Sequence, residues 1–228
     1  MFKTKRLDTA FAWITFILMT AALYAIFIYA PNERIMGPVQ KIFYFHVATA
    51  WVGFFAFFVV FVCGIVYLRT RNKLADITAR CSAEIGLIFT SIVLVTGPIW
   101  GRSAWGAWWT WDSRLTTTLI LWFLYLAYVL IRASGDSEGQ KARFSAVFGV
   151  IAFLDIPIVF FSIRWWRTIH PVLIDAQGFN MDPRMLPAFF LSIVAFTFYY
   201  AYYLNKSIKI VRLEEDFKEI KQALREDN

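Results

Sequence analysis

Two histidines, His46 and His170, are the only imidazoles in the 228 residues, and five of the ten tryptophans crowd into one stretch, Trp100 to Asp112 (WGRSAWGAWWTWD). Neutral imidazole is the commonest metal-ligating side chain, and an indole presents a flat apolar face with one N–H donor. Trp105, Trp108, Trp109 and Asp112 fall at i, i+3, i+4 and i+7, the spacing of one helix face. If the stretch is helical, three indoles form a shelf with a carboxylate at its end, while Trp100 and Trp111 point elsewhere. Gly101 leaves room for a turn into that shelf. Two imidazoles and an aromatic shelf suit a flat apolar ligand with a metal at its centre.

The elements that must position these residues are membrane helices. The chain is 59% hydrophobic and 19% aromatic, with mean hydropathy +0.56, against about 45–50% apolar residues in soluble domains. The reading is an all-α integral membrane protein with six transmembrane helices, at roughly 9–30, 42–68, 84–100, 115–131, 144–163 and 185–204, judged against a bilayer crossed at about 1.5 Å per residue. The first run is longer than a signal-peptide core and no clean cleavage site follows it, so it is read as a retained span. RTRNKLADITAR and RASGDSEGQKAR read as polar connections. Residues 1–205 form the six-span domain and 206–228 a charged tail. In that tail Leu213, Phe217, Ile220 and Leu224 keep a helical stripe, which fits a solvated helix end or a docking helix equally. Asp155 lies inside the fifth span near Pro157. An intramembrane carboxylate is a functional suspect; the favoured alternative is a local device satisfying backbone groups that the proline frees.

Lys and Arg gather in the N-terminal segment, the connections after spans two and four, and the tail, with far fewer in the other connections. That bias places both termini in the cytoplasm, and it accounts for the net charge of +7 without any nucleic-acid partner. His46 then lies at the outer end of span two, the tryptophan stretch joins spans three and four outside, and His170 follows span five outside. Haem is the natural candidate ligand for this face. Two histidines could take its axial positions, indoles could pack on the porphyrin, and Arg114, Arg164 and Arg167 could pair with propionates, as could Arg102 and Arg184. Each element also has a plainer reading. Tryptophans at a membrane boundary form anchoring belts, and an interfacial histidine can be a hydrogen-bonded structural residue. Zinc competes weakly, because no cysteine or third histidine lies outside to complete a tetrahedral site. Asp112 repels propionates, so pairing with Arg114 or capping a loop suits it better. Cys63 and Cys81 form no CxxC or CxxCH, and read as structural thiols. No GxxxxGK[ST], HExxH or GxSxG occurs, so the chain carries no motif for nucleotide binding or hydrolysis and is not read as an enzyme.

The segments QKIFYFHVATAW, LVTGPIWGRSAWGAWWTWDSRLT and LDIPIVFFSIRWWRTIHP, in that order, resemble the CcmC family, haem-handling membrane proteins of cytochrome c maturation marked by an outer-face tryptophan-rich "WWD" segment. The resemblance covers spans one to six; the charged tail from about Ser207 adds nothing to it. It implies that His46 and His170 are the axial ligands of haem b. It also implies that Trp100, Trp105, Trp108, Trp109, Trp111 and Asp112 belong to the haem platform, with Arg114 in the segment that follows. It implies further a bacterial cytoplasmic (inner) membrane or its mitochondrial descendant, with the site on the periplasmic face. The implied partners are the haem chaperone CcmE, the ABC-type subunits CcmA and CcmB, the small membrane subunit CcmD, and membrane lipid. Two other readings stay open. One is a cytochrome c haem lyase of the same superfamily, whose members carry further intramembrane histidines. The other is a transporter that moves haem through its own spans, whose interior offers little that is polar or coordinating beyond Asp155 and Glu84.

Overall fold

A computed structural model describes residues 2–134 and 137–226. Gly135 and Asp136, inside the expected polar connection after span four, and the last two residues of the expected tail lie outside the described residues. The chain is a helical bundle of α1 (Phe2–Tyr24, continuing through a π-turn at Ala25–Tyr29), α2 (Lys41–Thr70), α3 (Lys73–Trp105), α4 (Ser113–Ala133), α5 (Glu138–Ala152), α6 (Asp155–Trp165) and α7 (Leu186–Glu226). Six stretches are long and apolar enough to cross a membrane: Arg6–Tyr29, Pro38–Thr70, Lys73–Trp105, Ser113–Ala133, Glu138–Trp165 and Pro183–Arg225. They cover the six expected spans, and the protein is a multi-pass membrane protein.

α2 and α3 form the centre, because small residues let them approach closely. A Cβ at Gly53 would sit 2.9 Å from Thr90 Cγ2, and the Phe57 ring packs over Gly86. Phe57 stacks on Tyr125 of α4 with ring centroids 3.4 Å apart. Ser82 donates to the Ala56 carbonyl at 2.8 Å, which leaves its oxygen to accept from the Tyr200 hydroxyl, also at 2.8 Å. That chain ties α2, α3 and α7 together inside an otherwise apolar interior. Phe16, Ile28, Val95, Ile120 and Leu130 stand exposed around the perimeter, as lipid contact requires.

Three boundaries differ from the sequence expectation. RTRNKLADITAR is almost entirely helical, with a turn of only Arg71 and Asn72. Arg71 takes φ +58° and ends α2 by giving its N–H to the Tyr67 carbonyl. The Asn72 side chain then accepts from the Ala75 N–H and caps α3. The charges in this run are used within the fold: Asp76 meets Arg132 at 2.6 Å, both side chains nearly buried, and Lys73 meets Glu215 at 3.1 Å. The fifth span is broken at Phe153–Leu154. Pro157 has no N–H for the Phe153 carbonyl, which accepts instead from Ile156 at 3.1 Å. Asp155 takes no part in that repair; its Oδ2 is buried without a hydrogen-bond partner among the described residues. Finally, the tail is no separate helix, since α7 runs unbroken from Leu186 to Glu226.

The Arg132–Asp76 pair tests how these ends are held. Changing Arg132 to Met strands a buried carboxylate and should cost about 3–5 kcal/mol, whereas Arg132→Met with Asp76→Leu should recover most of the loss. Unfolding by denaturant in detergent micelles measures both.

Candidate functional site

His46 sits in the second turn of α2, where Phe43, Val47 and Phe54 share its surroundings. Its Nδ1 lies 2.9 Å from Thr96 Oγ1 on α3. The Thr96 hydroxyl places its own hydrogen on the Ile92 carbonyl at 2.7 Å, so its oxygen accepts from His46 Nδ1–H. That bond sets the tautomer and leaves the Nε2 lone pair open to the cavity. Gly97 makes the close approach possible. A Cβ there would lie 3.2 Å from His46 Cε1.

α3 then carries the first two tryptophans. Trp100 donates from Nε1 to Gln40 Oε1 at 3.1 Å and meets Trp105 edge to face, centroids 5.4 Å apart. Trp105 folds back over Gly101, where a Cβ would come within 2.7 Å of its ring. The helix stops at Trp105, because Gly106 adopts φ +79° and gives its N–H to the Arg102 carbonyl. The Arg102 guanidinium closes the same turn by donating to the Gly106 carbonyl. Residues 107–112 are not helical, so the expected shelf of Trp105, Trp108 and Trp109 does not form. Trp109 turns inward to the cavity, while Trp108 and Trp111 are exposed.

Asp112 is the hinge between this stretch and the second histidine. Its Oδ1 accepts from the Arg114 N–H at 3.0 Å and caps α4. Its Oδ2 accepts from the backbone N–H of Ile169, also at 3.0 Å. The next residue is His170, whose N–H is held by Thr168 Oγ1. The His170 Nδ1 lies 3.3 Å from the Pro171 carbonyl, an oxygen that can only accept. Both histidines thus present Nε2. Burial first, then the Arg114 charge, pushes the His170 imidazole down to about 4, so it is neutral at pH 7. A short hairpin of β1 (Ile174–Asp175) and β2 (Gly178–Phe179) follows, and Phe179 packs against Phe189 and Phe190 of α7.

These parts enclose a cavity with about 830 Å³ of space between atoms, its open mouth included. His46, His170, Trp100, Trp105, Trp109 and Arg114 line it, with Phe43, Val47, Gly97, Pro98, Leu115 and Leu173. Arg114 has no ion pair or side-chain hydrogen bond among the described residues, and the buried Nε1 atoms of Trp105 and Trp109 have no acceptor. Among the described residues the Arg114 guanidinium is thus the unpaired cation lining this largely apolar chamber. Arg164 and Arg167 are exposed and do not line the cavity. No three His, Cys, Asp or Glu groups cluster among the described residues. The donor set suits a metal that arrives with most of its ligands, such as a porphyrin iron. The sequence reading missed Thr96, Gly97 and Gln40. Thr-Gly-Pro inside an apolar span is the signal that could have found the first two, since each residue is a poor helix former.

Removing the Asp112 carboxylate should loosen the His170 loop without unfolding the bundle. Asp112→Ala should raise hydrogen exchange at the Ile169 amide about 10- to 100-fold, the range for a lost charge-assisted bond. Exchange mass spectrometry on peptides spanning residues 166–173 reads it, with α2 as the unchanged control.

A family model described as heme exporter protein C matches residues 1–222. The heme exporter protein C of Bradyrhizobium diazoefficiens is 35% identical over 196 residues, covering 85% of this chain and 74% of its own length. That of Haemophilus influenzae is 33% identical over 165 residues, 72% of this chain and 67% of its own. The Escherichia coli K12 protein of the same name is 33% identical over 157 residues, 69% of this chain and 64% of its own. With a match over nearly its whole length, this chain belongs to the heme exporter protein C (CcmC) family.

Proposed function

We propose that this chain holds haem b in the cavity between His46 and His170 and delivers it for cytochrome c maturation. One observation carries the reading: two imidazoles, each with Nδ1 engaged and Nε2 open, line a single apolar cavity. His46 and His170 supply the axial ligands. Trp100, Trp105 and Trp109 give apolar contact to the macrocycle, and Arg114 receives a propionate. The exposed Trp108, Trp111, Arg164 and Arg167 form the rim that a receiving protein meets.

The two ligands are held differently, which suits a protein that must let go. His46 is fixed in a helix, while His170 sits on a loop tethered through Asp112. Release then requires loosening one loop, with the helical ligand and the aromatic wall left in place. Beneath the cavity Phe57, Val60, Leu121, Tyr125 and Val159 are fully buried in close contact. That packing supports a receiving site at one end of the bundle over a pathway through it. The charge bias of the connections supports an outward, periplasmic position for this end. The recipient is the chaperone CcmE, and CcmA, CcmB and CcmD are the membrane partners, with energy coming from the ABC-type subunits.

The test is the absorption spectrum of the purified chain. Low-spin bis-imidazole bands are expected, and His46→Ala or His170→Ala should each weaken haem retention about 100-fold or more, as loss of a direct ligand exceeds the 10–100-fold cost of losing a group behind it. Wild-type spectra in both variants would overturn the axial assignment. Thr96→Val should keep the fold and weaken haem retention about 10–100-fold, and Thr96→Ser should restore it.

A further inference from the structure

α7 is 41 residues long, about 60 Å at 1.5 Å per residue, twice the hydrocarbon thickness of a bilayer. Its second half therefore projects beyond the membrane, at the end opposite the cavity. Asp8 of α1 binds Lys209 at 2.6 Å there, and Lys73 at the start of α3 binds Glu215 and Glu219. On the projecting part Ile210, Leu213, Phe217 and Ile220 recur with spacings of three and four, and Leu224 continues them. The first four are 58%, 69%, 66% and 61% exposed. A 3.5-residue repeat of large apolar side chains in water is the pattern of a coiled-coil seam. Ile210, Phe217 and Leu224 take its a positions and Leu213 and Ile220 its d positions. Glu215 and Glu219, gripped by Lys73, then fall at f and c on the opposite side. The bundle thus holds the back of this helix and turns the seam outward.

The flanking charges identify what fits. Lys209 and Asp216 occupy g positions, Glu214 and Lys221 e positions. In a parallel pair each g residue meets the e residue five places on in the other helix. Between two copies of this chain that sets Asp216 against Lys221, both unpaired within the chain among the described residues, and Glu214 against Lys209, which also holds Asp8 of its own chain. Glu214, Asp216 and Lys221 have no ion pair within the chain among the described residues. The membrane supplies the orientation, since two copies inserted the same way present α7 in parallel. It also supplies the proximity that two heptads alone need, because confinement raises the effective concentration. We propose that two copies of this chain associate through residues 210–224 of α7 as a parallel coiled coil beyond the membrane.

Oxidative cross-linking of the full chain in its native membrane tests this. Leu213→Cys and Ile220→Cys should each yield a disulfide-linked species of doubled mass. Lys218→Cys, on the back of the helix, and the unaltered chain, whose Cys63 and Cys81 lie within the bundle, should stay monomeric. In the Leu213→Cys background Lys221→Glu should lower the yield several-fold by facing Asp216, and adding Asp216→Lys should restore it. A monomer at Leu213→Cys, equal linking at Lys218→Cys, or a product containing a different protein would each overturn the proposal, as would a charge reversal that the second change does not rescue.

Discussion

The carboxylate of Asp112 joins the two halves of the site, because one oxygen caps α4 beside the tryptophan stretch while the other holds the Ile169 N–H beside His170. Neither segment has regular structure to fix it. Residues 107–112 leave α3 after a left-handed glycine, and the loop after α6 contains only a two-residue-per-strand hairpin. Such backbone cannot stand in lipid with its polar groups unpaired, so side chains must satisfy it at the boundary. The acidic residue that closes the tryptophan motif does this for both segments at once, and the carboxylate need not touch a ligand to shape its cavity.

The same logic of prior satisfaction governs the imidazoles. His46 is presented by a rigid helix, and its ring is turned by a hydroxyl that already spends its hydrogen on the Ile92 carbonyl. His170 is presented by a loop and a carbonyl. Gly97 and Gly101 admit the His46 ring and the Trp105 indole against the α3 backbone. The cavity is therefore walled by packed helix on the α2–α3 side and by a tethered loop on the His170 side.

At the opposite end the bundle is held by charge. Asp76–Arg132 is nearly buried, whereas Lys73–Glu215 and Asp8–Lys209 are open to water and weaker. Together they fix the direction in which α7 leaves the membrane. An apolar seam on its outer side is a surface that water disfavours, and the matching of its flanking charges to themselves points to self-association.

The sequence by itself determined the number of spans and the clustering of both histidines and the tryptophans at one end. Those conclusions rest on hydropathy and charge, which act over whole segments and need no coordinates. It did not determine where the helices stop. Spacing alone made Trp105 to Asp112 a helical face, but Gly106 in a left-handed conformation ends the helix, so Trp109 lines the cavity while Trp108 and Trp111 do not. It read the charges of Lys73, Asp76 and Arg80 as a loop because their partners, Glu215, Arg132 and Glu84, become neighbours only in the folded bundle or along a helix already formed. Thr96 stands out in the sequence only as part of Thr-Gly-Pro, a weak-helix signal that names no partner. A threonine in an apolar span acquires meaning only when α2 brings an imidazole within hydrogen-bond distance of it, and that is a property of packing, not of composition.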